Sequence, residues 1–585
     1  MGTSVTPFYG SPVKDLPKRQ QLEILRVQME NERTQWLPVW KECANFVQPT
    51  RARFVVGKAN KPNRLNKLII DSTAIFASRT LSAGMLSGIT SPAREWFRLS
   101  VSDPALRDVP AVKDWLHEVS TRMYAVFSKS NLYDELALLY TDLGAFGTAC
   151  MLEVEDPEHT VRFETFSVGS YCIAVDASKR VRVFQRCFQM TVRQILDQWS
   201  TKNAQNQYDL TNFSTTIRHA VETGALEMNV EICHIIRPNP EFNPNYAQSK
   251  FKKFESVYYE TGAGKANEFS NYTGVIVEEG FDEFPLFGPR WEVGAGDIYG
   301  VNSPAIMAIG DIKQLQHGEK KSLQAIDKLV DPPMTGPTSL KAFRASILPG
   351  DITYADSQSD RGGFRTAYEI DPKIKEMEGK QEQVRQRINR AFYVDLFLMI
   401  SSDDSAEPRT ATEIVERKEE KLIVLGPVLE RMNHDLLDPM IDRTFAIMLR
   451  RGDIPDAPQE LQGQALKVEY TSVMAAAQRA LALGGLERLS QFLTALAQIK
   501  PDVVDKVDFD QLIDEYADGV GAPPHIVIPD DQVAATRQQR AQAAQAQQMS
   551  ENLKTAGQGV QSLANAPTDS ENALTQILQN GVQPK

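Results

Sequence analysis

The chain has 585 residues, 42% of them hydrophobic and 24% charged, the balance of a globular protein with room for several domains. A net charge of -12 argues against a protein that grips nucleic acid by neutralising phosphates, because such binders cluster Lys and Arg on one face. No run reaches the roughly 18 apolar residues of a membrane span, and Met1 to Asp15 lacks the basic and apolar blocks of a secretory signal, so a cytosolic chain without membrane association is expected.

From Leu22 to Phe46 and from Leu65 to Leu86, apolar residues recur at three- and four-residue spacing, which predicts amphipathic helices. Ser87 to Pro92 breaks the second of them. Trp96 to Leu99 then reads as a short extended segment, and a helical pair follows from Val109 to Asp142. After Gly144 to Gly147 the period switches to two, as in Val161-Arg162-Phe163-Glu164-Thr165-Phe166, so residues 148–295 are expected to form a strand-rich unit. Prolines at Arg237 to Pro240 and at Glu283 to Pro285 mark loops within it.

Near Pro304 the pattern becomes helical again. Ile309, Ile312, Leu315, Leu323, Ile326 and Leu329 mark one face of a helix that ends before Asp331-Pro332-Pro333, a span of roughly 40 Å. Met334 to Ile370 is rich in Gly, Pro and small polar residues around a predicted hairpin at Ile347 to Tyr354, and a second long helix runs from Pro372 to Phe397. Two long helices flanking a compact excursion make an antiparallel hairpin with a small module at its tip, a shape also compatible with an ordinary helical domain. Beyond a polar break at Ser401 to Pro408, Thr410 and Glu413 have capping-box spacing and open a helix to Arg451, kinked at Pro427 and Pro439. Residues 464–520 read as helical. From Gln532 onward Ala and Gln dominate, so the tail is either flexible or a helix ordered by packing against copies of itself.

The chemistry of known sites is hard to place on this chain. Gly262-Ala263-Gly264-Lys265 comes nearest to a phosphate loop, but its first glycine stands too close and Ala266 replaces the magnesium-binding Ser or Thr. The seven histidines are scattered without ligand spacing, and Glu278-Glu279 and Asp403-Asp404 read as solvated loop charges. Cys43, Cys150, Cys172, Cys187 and Cys233 are odd in number and widely separated, so reduced, buried thiols are expected rather than a disulfide framework or a zinc site. The reading is a non-enzyme with no catalytic, metal or cofactor site.

Asp71 to Ala74, Leu86 to Pro92, Trp96-Phe97 and Asp142 to Ala149 are followed by Pro285, Arg290-Trp291, Tyr299-Gly300, Pro332 to Met334 and Thr410 to Glu413. In order and spacing these residues resemble the head-to-tail connector, or portal, family of short-tailed bacteriophages, collinearly from about Leu22 to Arg540. The resemblance implies a mainly α fold with a strand-rich α+β part, in the portal-type arrangement of wing, stem, clip, crown and C-terminal barrel or tail. On that mapping the wing is 1–301, helical over 1–147 and strand-rich over 148–295. Stem helices occupy 302–330 and 372–397 around a clip at 331–371. A tunnel loop at 398–409, a long kinked helix at 410–452, a crown at 453–531 and the tail at 532–585 complete the chain.

The same resemblance implies a homo-oligomeric ring, usually of twelve copies, at a capsid vertex of the virion, with double-stranded DNA passing through without sequence preference. Terminase supplies the ATP-driven force, and the further partners are the tail adaptor, tail proteins and the major capsid protein. The implied tunnel loop contains Ser401, Ser402, Asp403, Asp404, Glu407 and Arg409. Its acids, repeated around a ring, would face the phosphates so that DNA slides without sticking, or they merely solvate a turn. Lys320, Lys321, Arg385, Arg387 and Arg390 are stem candidates for phosphate contact, against the alternative of weak surface pairs. Lys341, Arg344, Arg361 and Arg365 are clip candidates for contact with terminase or adaptor. The rivals are another capsid or internal head protein, and a DNA-packaging enzyme, which would need a nucleotide loop and clustered carboxylates.

Overall fold

The computed structural model describes residues 17–51, 68–103, 109–202, 208–261, 274–330, 374–401, 425–461, 466–471, 507–520 and 530–564, with a few shorter pieces such as 334–335 and 365–366. The chain forms two compact units, Met1–Leu481 and Ala482–Lys585.

In the first unit five helices precede most of the strands, as the periodicity predicts: α1 (Lys18–Thr34), α2 (Leu37–Phe46), α3 (Thr73–Ile89), α4 (Pro110–Lys129) and α5 (Leu132–Phe146). α2 and α4 carry a proline in the first turn, where the missing N–H has no intrahelical partner to lose. α5 stops at Gly147, whose φ of 76° is the left-handed cap that glycine adopts without strain. No side chain fits there in any case, because the backbone of Gly300 lies against it.

Residues 148–295 build two antiparallel sheets. β2 (Cys150–Asp156) lies between β3 (Thr160–Phe166) and β9 (Leu286–Phe287). The larger sheet is a meander of β4 (Tyr171–Val175), β5 (Val181–Thr191), β6 (Asn229–Pro238), β7 (Phe254–Glu260) and β8 (Val277–Phe281). One of its faces is sealed by α1 through Leu22, Leu25 and Met29, which pack on Cys172, Ile235, Val257 and Tyr259. On the other face, α6 (Val192–Trp199) and α7 (Thr215–Glu222) cover Val230 and Ile232, while Phe184 and Ile236 join the main core. α6 opens with a capping box between Thr191 and Gln194.

Strand register also corrects the reading of the cysteines. Cys187 and Cys233 face each other across β5 and β6 and are joined by a disulfide. Pairing at a sequence separation of 46 leaves no local signal, since only the register brings the two together. Cys43, Cys150 and Cys172 are free and buried.

β1 (Phe97–Val101) pairs with neither of these sheets. Its partner is β12 (Leu466–Tyr470), with Phe97 opposite Tyr470. The helical reading of 464–520 therefore fails at 466–470, where Leu466, Val468 and Tyr470 alternate with Lys467 and Glu469 at the period of a strand. Five residues are too few for that period to show against the helix-favouring sequence that follows.

The two long helices are present as α8 (Pro304–Val330) and α9 (Ile374–Ala391), packed side by side. The second is shorter than expected. After Ala391 the chain turns at Tyr393, whose φ of 56° is costly for a bulky residue, and resumes as α10 (Val394–Ser401). The turn is held by burial: Phe392, Leu396 and Phe397 sit in the core, and the Phe397 ring occupies the space that a side chain on Gly84 of α3 would need. Helical periodicity on both sides of the turn conceals it in the sequence. α10 runs to Ser401, into the stretch assigned to the tunnel loop.

Between α8 and α9, β10 (Met334–Thr335) pairs antiparallel with β11 (Arg365–Thr366). The predicted hairpin at Ile347 to Tyr354 and the helix start at Thr410 lie outside the described residues, as does Gly262 to Lys265. Downstream, a helix over 425–432 passes through a π turn at Asn433–Leu437 into α11 (Asp438–Arg451). Pro439 lacks the N–H that would continue a regular ladder, and the widened turn just before it is the form the expected kink takes. The second unit contains α12 (Phe509–Val520) and α13 (Asp530–Ala564).

Candidate functional site

The α8/α9 hairpin is assembled from side chains at three levels. Nearest the body, Ile312 and Leu315 of α8 and Val384 and Ile388 of α9 belong to the main core. Farther along, Gln381 Nε2 donates to Ser322 Oγ at 2.7 Å, a buried polar pair joining the helices. Beyond Ser322, apolar burial ends: Leu323, Ile326, Leu329 and Val330 are all exposed.

Asp71, just before α3, ties this hairpin to the body. Its Oδ1 accepts from the Thr73 backbone N–H at 2.7 Å and its Oδ2 takes the Nε–H of Arg385 at 3.0 Å. Gln316 of α8 clasps the same segment, accepting from the backbone N–H groups of Ile70 and Asp71 and donating to the Asp71 carbonyl. Partial burial pushes the Asp71 carboxyl upward, but the hydrogen bonds from Thr73 and Arg385 outweigh it and hold the group below its ordinary range.

The predicted stem cations therefore divide. Arg385 also pairs with Glu319 at 2.6 Å and with Glu382 at 3.3 Å, and Arg387 pairs with Asp311 at 2.8 Å. Lys320, Lys321 and Arg390 are exposed and make no ion pair among the described residues. Three exposed cations were missed: Lys328, one heptad beyond Lys321 on the same side of α8, where the seven-residue spacing was the signal, and Lys375 and Lys380 of α9. Of the tunnel-loop candidates, Ser401 ends α10, while Ser402, Asp403, Asp404, Glu407 and Arg409 lie outside the described residues. Of the clip candidates, Arg365 lies in β11, and Lys341, Arg344 and Arg361 lie outside.

Two buried arginines fix the helical segment after residue 425 to the strand-rich body. Arg290, 1% exposed, donates through Nη2 to the Lys179 carbonyl at 2.6 Å and to Asp435 Oδ2, in the π turn, at 3.1 Å. Arg443 of α11 donates to the Glu283 carbonyl at 3.2 Å and lies 3.9 Å from the carboxylate of Glu153 in β2. Glu153 is fully buried and accepts from Thr444 Oγ1 at 2.8 Å. Burial pushes its carboxyl up to about 8, with only partial opposition from Arg443. Among the described residues no group of His, Cys, Asp and Glu is placed to hold a metal ion, and no helix is long and apolar enough to cross a membrane.

Several of these bracing residues are the ones that carried the resemblance: Asp71, Thr73, Arg290 and, packed against Tyr393 at the helix break, Trp291. The comparison with known proteins agrees with them. The family described as bacteriophage head to tail connecting protein matches residues 19–527. The chain belongs to this family. Among its relatives, the portal protein of Salmonella phage epsilon15 is 41% identical over 550 residues, 94% of this chain and 96% of that one. The probable portal protein of Bordetella phage BPP-1 is 40% identical over the same shares. A chain in the neck of an empty gene transfer agent particle shares 10% identity over 71% of this chain and 86% of that one, and its TM-score of 0.33 adds no weight. As a head-to-tail connecting protein, the chain combines a strand-rich body with a helical hairpin; Asp71 is tied to that hairpin through Arg385, and Arg290 to the π turn through Asp435.

Proposed function

We propose that this chain is the portal subunit of a bacteriophage. Copies close into a ring, of twelve in our reading, at one capsid vertex of the virion, surrounded by the major capsid protein. Double-stranded DNA passes through the centre during packaging and ejection. Terminase supplies the driving force, and it and later the tail adaptor dock on the segment 331–371 through Lys341, Arg344, Arg361 and Arg365. The observation that carries this reading is the end-to-end match, over 94% of the chain, to two relatives named as portal proteins.

The charges of the hairpin support a conduit rather than a clamp. With Arg385 and Arg387 neutralised by carboxylates, the exposed cations of the two helices without an ion pair among the described residues are Lys320, Lys321, Lys328, Lys375, Lys380 and Arg390. Few cations on a chain of net charge -12 make for weak, salt-sensitive contact, which suits DNA that must keep moving. Ser401, Ser402, Asp403, Asp404, Glu407 and Arg409 form the loop nearest that DNA in this reading, its acids repelling phosphate around the ring.

Class averages from electron microscopy together with native mass spectrometry of the purified protein test the reading. A closed ring with an open central channel is expected; a shell or a filament would sink it.

A further inference from the structure

On the face of the larger sheet that α6 covers lies an open cleft of about 640 Å³. Its apolar wall is Phe188 and Met190 of β5, Trp199 of α6 and Tyr258 of β7. These four pack against the core formed with α6 and α7, and each is only half-buried, so that core reaches the surface here without a cover. The wall is stiff: the Trp199 and Tyr258 rings lie 5.0 Å apart, and His234 stacks on Tyr258 at 3.9 Å with the planes 8° apart. The exposed amides of Gln194 and Gln198 complete the lining.

Charge excludes several occupants. Arg186, the cation of the lining, pairs with Glu164 at 2.9 Å and is held between the Phe166 and Phe188 rings. Asp197, the acid of the lining, accepts from the Tyr208 hydroxyl at 2.8 Å. With its cation already neutralised, the cleft has little to attract a phosphate or an acidic peptide. Aromatic rings beside exposed amides match instead an uncharged, extended segment with prolines, the way aromatic-lined grooves take polyproline II chains.

This chain starts with such a segment. Met1 to Val13 carries no charged side chain and contains Thr6-Pro7-Phe8-Tyr9-Gly10-Ser11-Pro12. Residues 1–16 lie outside the described residues, and α1, into which they lead, begins at the edge of the same sheet. Lys18 pairs with Glu255 of β7 at 2.7 Å and with Glu278 of the edge strand β8, and Arg19 donates to the Glu260 carbonyl at 3.2 Å. Tyr258 stands two residues before Glu260, about 7 Å along β7. Because α1 covers the opposite face, the path to the cleft rounds β8, and residues 1–16 reach up to about 50 Å when extended.

We propose that residues 1–13 turn back around β8 and occupy this cleft, with Pro7, Phe8 and Tyr9 against Trp199 and Tyr258. Tethering favours the chain's own terminus over a free partner: at an effective concentration near the millimolar range, even a contact of about 100 µM affinity is closed roughly nine-tenths of the time. The strap covers aromatic surface that would otherwise invite association between copies.

A photoreactive benzoylphenylalanine in place of Gln198, in the full-length chain, tests the strap. Irradiation followed by trypsin is expected to join position 198 to the peptide Met1 to Lys14 within a single chain. Phe8→Ser together with Tyr9→Ser should lower the yield of that product at least about fivefold while the far-ultraviolet circular dichroism stays that of the parent. A product joining two chains, crosslinks to other segments only, no product, or an undiminished yield in the double variant overturns the proposal.

Discussion

Around the three-stranded sheet three charged groups are inside: Glu153 is 0%, Arg290 1% and Arg443 1% exposed, and each bonds to an element distant in the chain. Along α8 and α9 they are outside: the side chains of Arg385 and Arg387 are 32% and 51% exposed, and their carboxylates come mostly from the hairpin itself. The difference separates two jobs. Buried ions fix one position of α11 and the π turn, because leaving either partner unpaired is expensive. Surface ions keep the hairpin soluble and correctly aligned at small individual gain, which leaves its remaining cations free to act on something else.

The contrast breaks most clearly at Arg290. Arg290→Ala leaves the Asp435 carboxylate and the Lys179 carbonyl without their donor, and a loss of about 3–5 kcal/mol in denaturant unfolding is expected. A loss under about 1 kcal/mol would mean that the buried arginine is not what seats the π turn.

Glu153 gives the next largest effect, and its sign is fixed. Its carboxyl is lifted from 4.5 to about 8 in the native state. Between those values the unfolded chain has released a proton that the native chain keeps. The contribution to stability is therefore whole below about 4.5 and is lost as pH rises through about 8. Glu153→Gln can still accept from Thr444 and should flatten that part of the pH profile; an unchanged slope would show that Glu153 is ionised in the folded protein.

On the hairpin the numbers shrink. Arg385→Ala should cost about 0.2–1 kcal/mol, because its ion pairs are half in water, and high salt should erase most of the difference from the parent. The triple change Lys320→Ala, Lys321→Ala and Lys328→Ala should leave stability within about 0.5 kcal/mol. It should lower the slope of log affinity for duplex DNA against log salt by up to about 0.9 per lost phosphate contact; an unaltered slope would remove these lysines from the DNA path.

The α helices before Gly147 and the switch to strands after it were legible because period 3.6 and period 2 are local properties of the sequence. The features that were not legible are all agreements between distant segments. The disulfide between Cys187 and Cys233 depends on strand register, and the partner of β1 lies hundreds of residues downstream at β12. Tyr393 breaks a helix whose apolar pattern continues on both sides, so only its contacts with the core and Trp291 show why the chain turns there. The same holds for the candidate site. Lys320 and Lys321 could be named from helix position, but that Arg385 is committed to Asp71 and Glu319 depends on where α3 and α8 lie relative to α9.

The pairing of β1 with β12 has a further consequence during synthesis. Residues 97–101 leave the ribosome long before 466–470; the following helix covers Phe97 through Tyr124 and Phe127, but in the interval the strand keeps an open hydrogen-bonding edge. A nascent chain of this protein thus cannot close its first-made domain in the order in which it is translated. Each new copy carries a sticky edge until nearly its whole first unit exists, the state in which chaperones are most needed and premature association with sister chains is most damaging.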